Sequence, residues 1–166
     1  EHAMSQWASY FAEKGLQISK TTGDLLGPCL FAVLMGISRA IYGAYSHNLP
    51  LKKFIVLSGA VSVISYLIAV FSPVPIISLL GCGLCGLSVG IMWPGVFSLS
   101  AESCPQGGAA MFAILALAGD VGCATGPTVV GTVADSFGGE LKAGLLAAIL
   151  FPAILVMGIL ILNKKK

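Results

Sequence analysis

Asp120 is the residue whose type and position most demand an explanation. It stands near the middle of a long apolar stretch, within Ala118-Gly119-Asp120-Val121-Gly122. A carboxylate at the centre of a membrane-crossing helix costs about 2.5–3.5 kcal/mol on insertion scales. Such a group is expected to face the interior of a helix bundle, where it binds a solute or takes up and releases a proton. The alternative is a carboxyl that hydrogen-bonds a neighbouring helix and only packs. Gly119, Gly122 and Gly126 recur around it at helical spacing, and Pro127 removes the backbone donor to the carbonyl of Cys123. Asp120, Cys123 and Pro127 fall on one face by the i, i+3, i+7 rule. That face either lines a cavity or lets another helix approach closely.

A second stretch repeats the pattern. Gly81, Gly83, Gly86 and Gly90 thin it, and Met92-Trp93-Pro94-Gly95 follows. Pro94 frees the carbonyl of Gly90, so a helix here should kink, and the freed oxygen needs a water, a ligand or a side chain. Trp93 offers a face on which a sugar or other planar ligand stacks, or it is an ordinary packed tryptophan. Near the start of the chain, Glu1, His2 and Gln6 precede Trp7 on a short polar and aromatic segment. Glu1 and Gln6 are candidate ligands, and Glu1 with His2 is a candidate proton relay. Arg39 lies toward the end of an apolar run and reads as a snorkelling side chain. Glu102 ends another run at the same surface, where pairing with a basic connector such as Lys52-Lys53 would be either a gating latch or an ordinary surface ion pair.

No enzyme constellation accompanies these residues. G-x-S-x-G, H-E-x-x-H and G-x-x-x-x-G-K-[ST] are all missing from the sequence, and its two histidines, His2 and His47, stand far apart. Cys82 and Cys85 read C-G-L-C, but within an apolar stretch and with no partner pair they are expected to be small packing residues. The reading therefore includes no catalytic residue, metal or cofactor. A net charge of +2 with no basic stripe gives no reason to expect nucleic acid as a partner.

The elements that position these residues follow from composition. Hydrophobic residues make up 57% of the 166 residues and charged residues 10%, with a mean hydropathy of +0.95. Soluble domains carry about 25% charge, so this chain lacks the polar material to cover a globule, and its outer surface must meet lipid. Five apolar runs, at about 26–45, 54–71, 76–99, 109–133 and 141–162, each approach or exceed the roughly 20 residues that cross a bilayer as a helix. Residues 1–11 read as the end of a sixth helix whose beginning lies upstream, with Trp7, Tyr10 and Phe11 where it leaves the bilayer. Ser72-Pro73-Val74-Pro75, Cys104-Pro105-Gln106-Gly107-Gly108 and Phe137-Gly138-Gly139 separate the runs, and such short connectors make successive helices antiparallel neighbours. With connectors numbered alternately, Arg39, Lys52, Lys53, Lys164, Lys165 and Lys166 share one side, against Lys14, Lys20 and Lys142 on the other. The positive-inside bias puts the group of six, and the C-terminus, in the cytoplasm.

On these residues the chain resembles the C-terminal half of a major facilitator superfamily transporter. Ser88-Val89-Gly90-Ile91-Met92-Trp93-Pro94-Gly95-Val96-Phe97-Ser98-Leu99-Ser100 is similar to the family's tenth helix. Gly119-Asp120-Val121-Gly122-Cys123-Ala124-Thr125-Gly126-Pro127 resembles the eleventh helix of its fucose-permease-like branch, and Glu1-His2-Ala3-Met4-Ser5-Gln6-Trp7 the end of the seventh. The connector from Gly43 to Lys53 resembles the loop motif G-x-x-x-D-R-x-G-R-R, departing from it at His47, Asn48 and Pro50. The resemblance implies an all-α, polytopic six-helix half-bundle spanning residues 1–166. It also implies the same sidedness as the lysines, and an N-terminal half outside this chain. The function implied is secondary transport by alternating access, with solute bound at the midplane between two halves. Proton-coupled uptake of a sugar or small polar metabolite across the plasma or inner membrane is the leading expectation. Efflux by antiport and a non-transporting membrane sensor or assembly protein are the alternatives.

Overall fold

A computed structural model of the chain describes residues 1–45 and 50–164. The described residues form helices joined by short turns, with no strand among them. Helix α1 spans His2–Tyr10 and continues into a π-helical turn at Phe11–Gly15. Five helices follow that are long and apolar enough to cross a membrane: α2 Lys20–Tyr45, α3 Leu51–Phe71, α4 Pro75–Ser103, α5 Gly108–Ser136 and α6 Leu141–Ile161. The fold is all-α and polytopic.

The turns have local causes. Ser19 caps α2 by accepting from the backbone N–H of Thr22 at 3.3 Å. Pro75 starts α4 at a position where a missing N–H costs nothing. Gly138 and Gly139 take positive φ of 72° and 87° and close α5, with the Gly139 N–H donating back to the Ala134 carbonyl.

Several boundaries differ from the sequence reading. Gly23-Asp24, ahead of the apolar run that starts at about residue 26, lies inside α2, because Gly23 is buried against Ala12 and the Asp24 carboxylate accepts from the Ser9 hydroxyl. Pro28 is also inside α2, and the π-helical turn at Leu25–Cys29 accommodates its missing donor. Lys52 and Lys53 belong to the first turn of α3 rather than to a loop. Helix α6 is broken at Ile149, ahead of Pro152, which cannot donate to the carbonyl of Ala148. His47, Asn48, Lys165 and Lys166 lie outside the described residues.

Helix α4 forms the centre of the bundle, packed against α2 and α3, while α6 packs along α3 and α5 leans on α1 and the first part of α6. Met4, Phe11, Phe31, Tyr66, Val130 and Leu145 fill the core together with Cys82 and Cys85. The two cysteines are fully buried, with Cys85 Sγ 3.8 Å from the Ser62 hydroxyl, so they pack as small side chains. Glycines set the closest helix approaches: a methyl on Gly86 would overlap the Phe31 carbonyl, and one on Gly144 the Val130 carbonyl.

Candidate functional site

All six helices contribute to one cleft of about 560 Å³. Glu1 and His2 enter it from α1, Arg39 from α2, Ser62 and Tyr66 from α3, and Met92 and Trp93 from α4; α5 supplies Gly119, Asp120, Gly122, Cys123 and Gly126, and α6 supplies Phe151 and Pro152. Residues far apart in sequence thus bring two carboxylates, a guanidinium, an imidazole, a phenol and an indole to one space.

The helix breaks explain the convergence. Helix α4 loosens at Gly90-Ile91, four residues before Pro94, where the backbone donor to Gly90 is missing. The Arg39 side chain supplies that donor, its Nε–H bonding the Gly90 carbonyl at 3.2 Å. The same guanidinium reaches Glu1 at 3.5 Å. Arg39 therefore departs from the snorkelling expectation: α2 lies close to α4 at Gly90, and its half-exposed guanidinium turns to the cleft. Beyond the break, Trp93 packs on Phe97 with ring centroids 4.6 Å apart, and Phe97 on Phe112 of α5 at 5.6 Å. The Trp93 ring lies over Gly119, where no side chain larger than hydrogen fits without displacing it.

Asp120 is exposed on the cleft wall and makes no ion pair with any described residue, since the ion pairs there are Glu1–Arg39 and Glu13–Lys14. Its neighbour Gly122 faces open space. The three-residue face drawn from sequence is incomplete: Asp120 and Cys123 line the cleft, whereas Pro127 is half-buried away from it. The Pro127 carbonyl accepts the indole N–H of Trp7 at 3.1 Å. Trp7 is consequently half-buried against α5, its ring edge close to Gly131.

Other candidates lie elsewhere. Gln6 is exposed and outside the cleft lining. Glu102 is exposed in the last turn of α4 with no ion pair among the described residues, so no latch to Lys52 or Lys53 is formed. Lys52 instead borders a second, largely apolar cleft of about 660 Å³ between the ends of α4, α5 and α6. Leu155 lines both clefts. Sequence reasoning missed Ser62 and Tyr66. Their signal was present in α3, where Ser58, Ser62, Ser65 and Tyr66 recur three and four residues apart on a buried stripe of an otherwise apolar run.

Comparison with protein families gives a match to the model described as Major Facilitator Superfamily, over residues 4–166. Comparison with curated proteins and with solved structures gives no match.

Proposed function

Because the chain belongs to the Major Facilitator Superfamily, and so to the multi-pass membrane secondary transporters, we propose that the cleft joining Glu1, Arg39, Trp93 and Asp120 is its part of the solute path. The observation that carries this reading is the convergence of those side chains, from four different helices, on one cleft. Ionisable groups within membrane-spanning helices are expensive unless they face a cavity, pair with one another or serve an ion or solute.

The chain reads as the C-terminal half of a transporter. The wall formed by α5 supports this, since only Gly126, Val130 and Ala134 of that helix are buried, and a second helical unit would cover it and close the cleft. Alternating access would then rock the two halves about the bound solute. Within the cleft the Arg39 charge is offset by Glu1, while Asp120 makes no ion pair among the described residues. An unpaired carboxylate is the group best placed to load and release a proton, and Trp93 offers a flat apolar face for a sugar ring or similar polar metabolite. Proton-coupled uptake is accordingly the proposed activity, with the six-lysine-and-arginine side and the C-terminus in the cytoplasm of a cell whose plasma or inner membrane holds the protein. The same unpaired carboxylate beside an indole also suits a cationic solute exchanged for a proton, which is the antiport reading.

Full-length transporter in vesicles tests the proposal. Gradient-driven accumulation of the solute should fall at least about tenfold in Asp120→Asn while solute binding persists, the pattern of a lost coupling group. Unchanged accumulation in Asp120→Asn would remove Asp120 from the coupling role. Solute release, rather than uptake, on imposing an inward proton gradient would select antiport.

A further inference from the structure

Arg39 makes two contacts that transport through the cleft does not by itself require. Its Nε–H meets the Gly90 carbonyl at 3.2 Å, and its Nη2 meets Glu1 at 3.5 Å. Gly90 is the acceptor that Pro94 leaves without a helical donor, because the residue four positions on has no N–H. Inside a membrane protein such an oxygen has no bulk water to turn to and must find another donor. The approach is arranged on both helices. A methyl on Gly90 would stand 2.8 Å from the Met35 carbonyl and from the Ser38 side chain, so only glycine lets α2 come this near. Arg39 follows Ser38 directly, which brings its guanidinium to the orphaned oxygen.

We propose that Arg39 is a positioning residue: it replaces from α2 the hydrogen bond that Pro94 removes from α4, and so holds the Gly90-Ile91 break in one geometry while tying it to Glu1 across the cleft. The segment beyond the break, Met92–Ser103, carries Trp93. Arg39 thereby sets the aspect that Trp93 presents without itself needing to touch solute. A charged donor suits this task, since hydrogen bonds from ionised groups are stronger than neutral ones. It also joins three helices, because its remaining nitrogens stay available to Glu1. The structural tie stands apart from the transport reading; its effect on turnover rests on that reading.

The test exploits the cause of the orphaned carbonyl. In Pro94→Ala the residue at 94 regains an N–H and can bond Gly90 within α4, so the Arg39 cap becomes dispensable. Full-length transporter carrying Glu1→Gln, so that removing Arg39 strands no charge at position 1, is compared with and without Arg39→Gln, in the Pro94 and Pro94→Ala backgrounds. Amide hydrogen exchange over residues 89–97 is read first, as it needs no solute. Arg39→Gln should speed exchange at the break by about tenfold with Pro94 present, the scale of one charge-assisted hydrogen bond. It should change exchange by less than about twofold in Pro94→Ala. Solute KM should rise with Arg39→Gln and recover with Pro94→Ala. Equal acceleration in both backgrounds, or none in either, overturns the proposal. Should the Arg39→Gln protein fail to accumulate in membranes, its rescue by Pro94→Ala supports the proposal and persistent failure overturns it. A normal exchange cycle with no solute movement would instead count against the transport reading alone.

Discussion

Helices α4 and α5 are written in nearly the same alphabet and used in opposite ways. Each carries glycines three or four residues apart and then a proline: Gly86, Gly90 and Pro94 in one, Gly119, Gly122, Gly126 and Pro127 in the other. In α4 the glycines are contact points. Gly81 presses on the backbone of Ser65 and Ala69, Gly86 on Phe31 and Gly90 on Met35. In α5 Gly122 touches nothing, Gly126 makes only ordinary contact with Ala3, and Gly119 borders a side-chain ring rather than a backbone. The prolines differ in the same sense. The α4 helix loosens before Pro94 and takes a donor from Arg39, whereas α5 runs unbroken through Pro127. The hydroxyls of Thr125, Thr128, Thr132 and Ser136 all donate to carbonyls four residues back on α5 itself, so these side chains need no partner from another helix and leave that face free to border a cleft or lipid. Small residues in a membrane helix therefore specify narrowness, and the surroundings decide whether the narrowness is filled by a helix or left for a solute.

The largest expected effect separates the two uses directly. Gly86→Leu places a side chain into the Phe31 carbonyl, which cannot move without shifting α2. The variant should lose at least about 3 kcal/mol of stability or fail to fold, read as lost monodisperse protein in detergent and a lower unfolding temperature. Gly122→Leu, equal in size, enters open space and should change stability by less than about 0.5 kcal/mol while blocking solute movement. Matching losses of stability in the two variants would mean that α5 is packed like α4, and the comparison would fail.

How much of this was legible in the sequence depends on what each feature needs as a partner. The five spans were readable because apolar length alone selects a helix that crosses a bilayer. The break before Pro94 was readable too, since a missing N–H is a property of one residue. What receives the orphaned carbonyl was not, because the donor lies on Arg39, and an arginine toward the end of an apolar run looks the same whether it snorkels outward or turns inward. Only the approach of α2 to Gly90, permitted by a glycine on the other helix, decides between them. The two roles of the glycines were left open for the same reason, being set by neighbours distant in sequence. The start of α2 was hidden for a like reason: the first apolar run begins near Leu26, and a buried contact of Gly23 with Ala12 and a π-helical turn at Leu25–Cys29 extend the helix back to Lys20.

A smaller effect is expected at the one glycine where the two helices meet. Gly119→Ala puts a methyl against the outer edge of the Trp93 ring. That ring is partly exposed and can tilt toward the cleft, so the stability cost should stay near about 1 kcal/mol. The sequence has two tryptophans, and in a Trp7→Phe background the emission of Trp93 reports the tilt alone. The spectrum should shift in Gly119→Ala and solute KM should rise about threefold with turnover little changed, the pattern of weakened ground-state contact. A shift without any change in KM would remove Trp93 from the solute wall while leaving the packing account of α4 intact.

The mildest test changes only two exposed thiols and asks which surfaces a small reagent meets. Cys82 and Cys85 sit fully buried in the α4 core, whereas Cys123 is exposed on the α5 wall of the cleft. With the two other exposed thiols replaced, Cys29→Ser and Cys104→Ser, a small uncharged maleimide should modify Cys123 in the native protein and reach Cys82 and Cys85 only after unfolding. Reactivity at a thiol requires access before any question of thiolate character arises, so the ranking measures burial. Saturating solute should then slow Cys123 modification by a few-fold, because the bound molecule and the reagent compete for one space. Protection of Cys123 by solute, with Cys82 and Cys85 unreactive whether solute is present or not, would tie the open helix to the solute and the packed helix to the scaffold. Equal labelling of Cys85 and Cys123 in the native protein would show instead that α4 breathes as freely as α5, and the division of labour between the two glycine-lined helices would not hold.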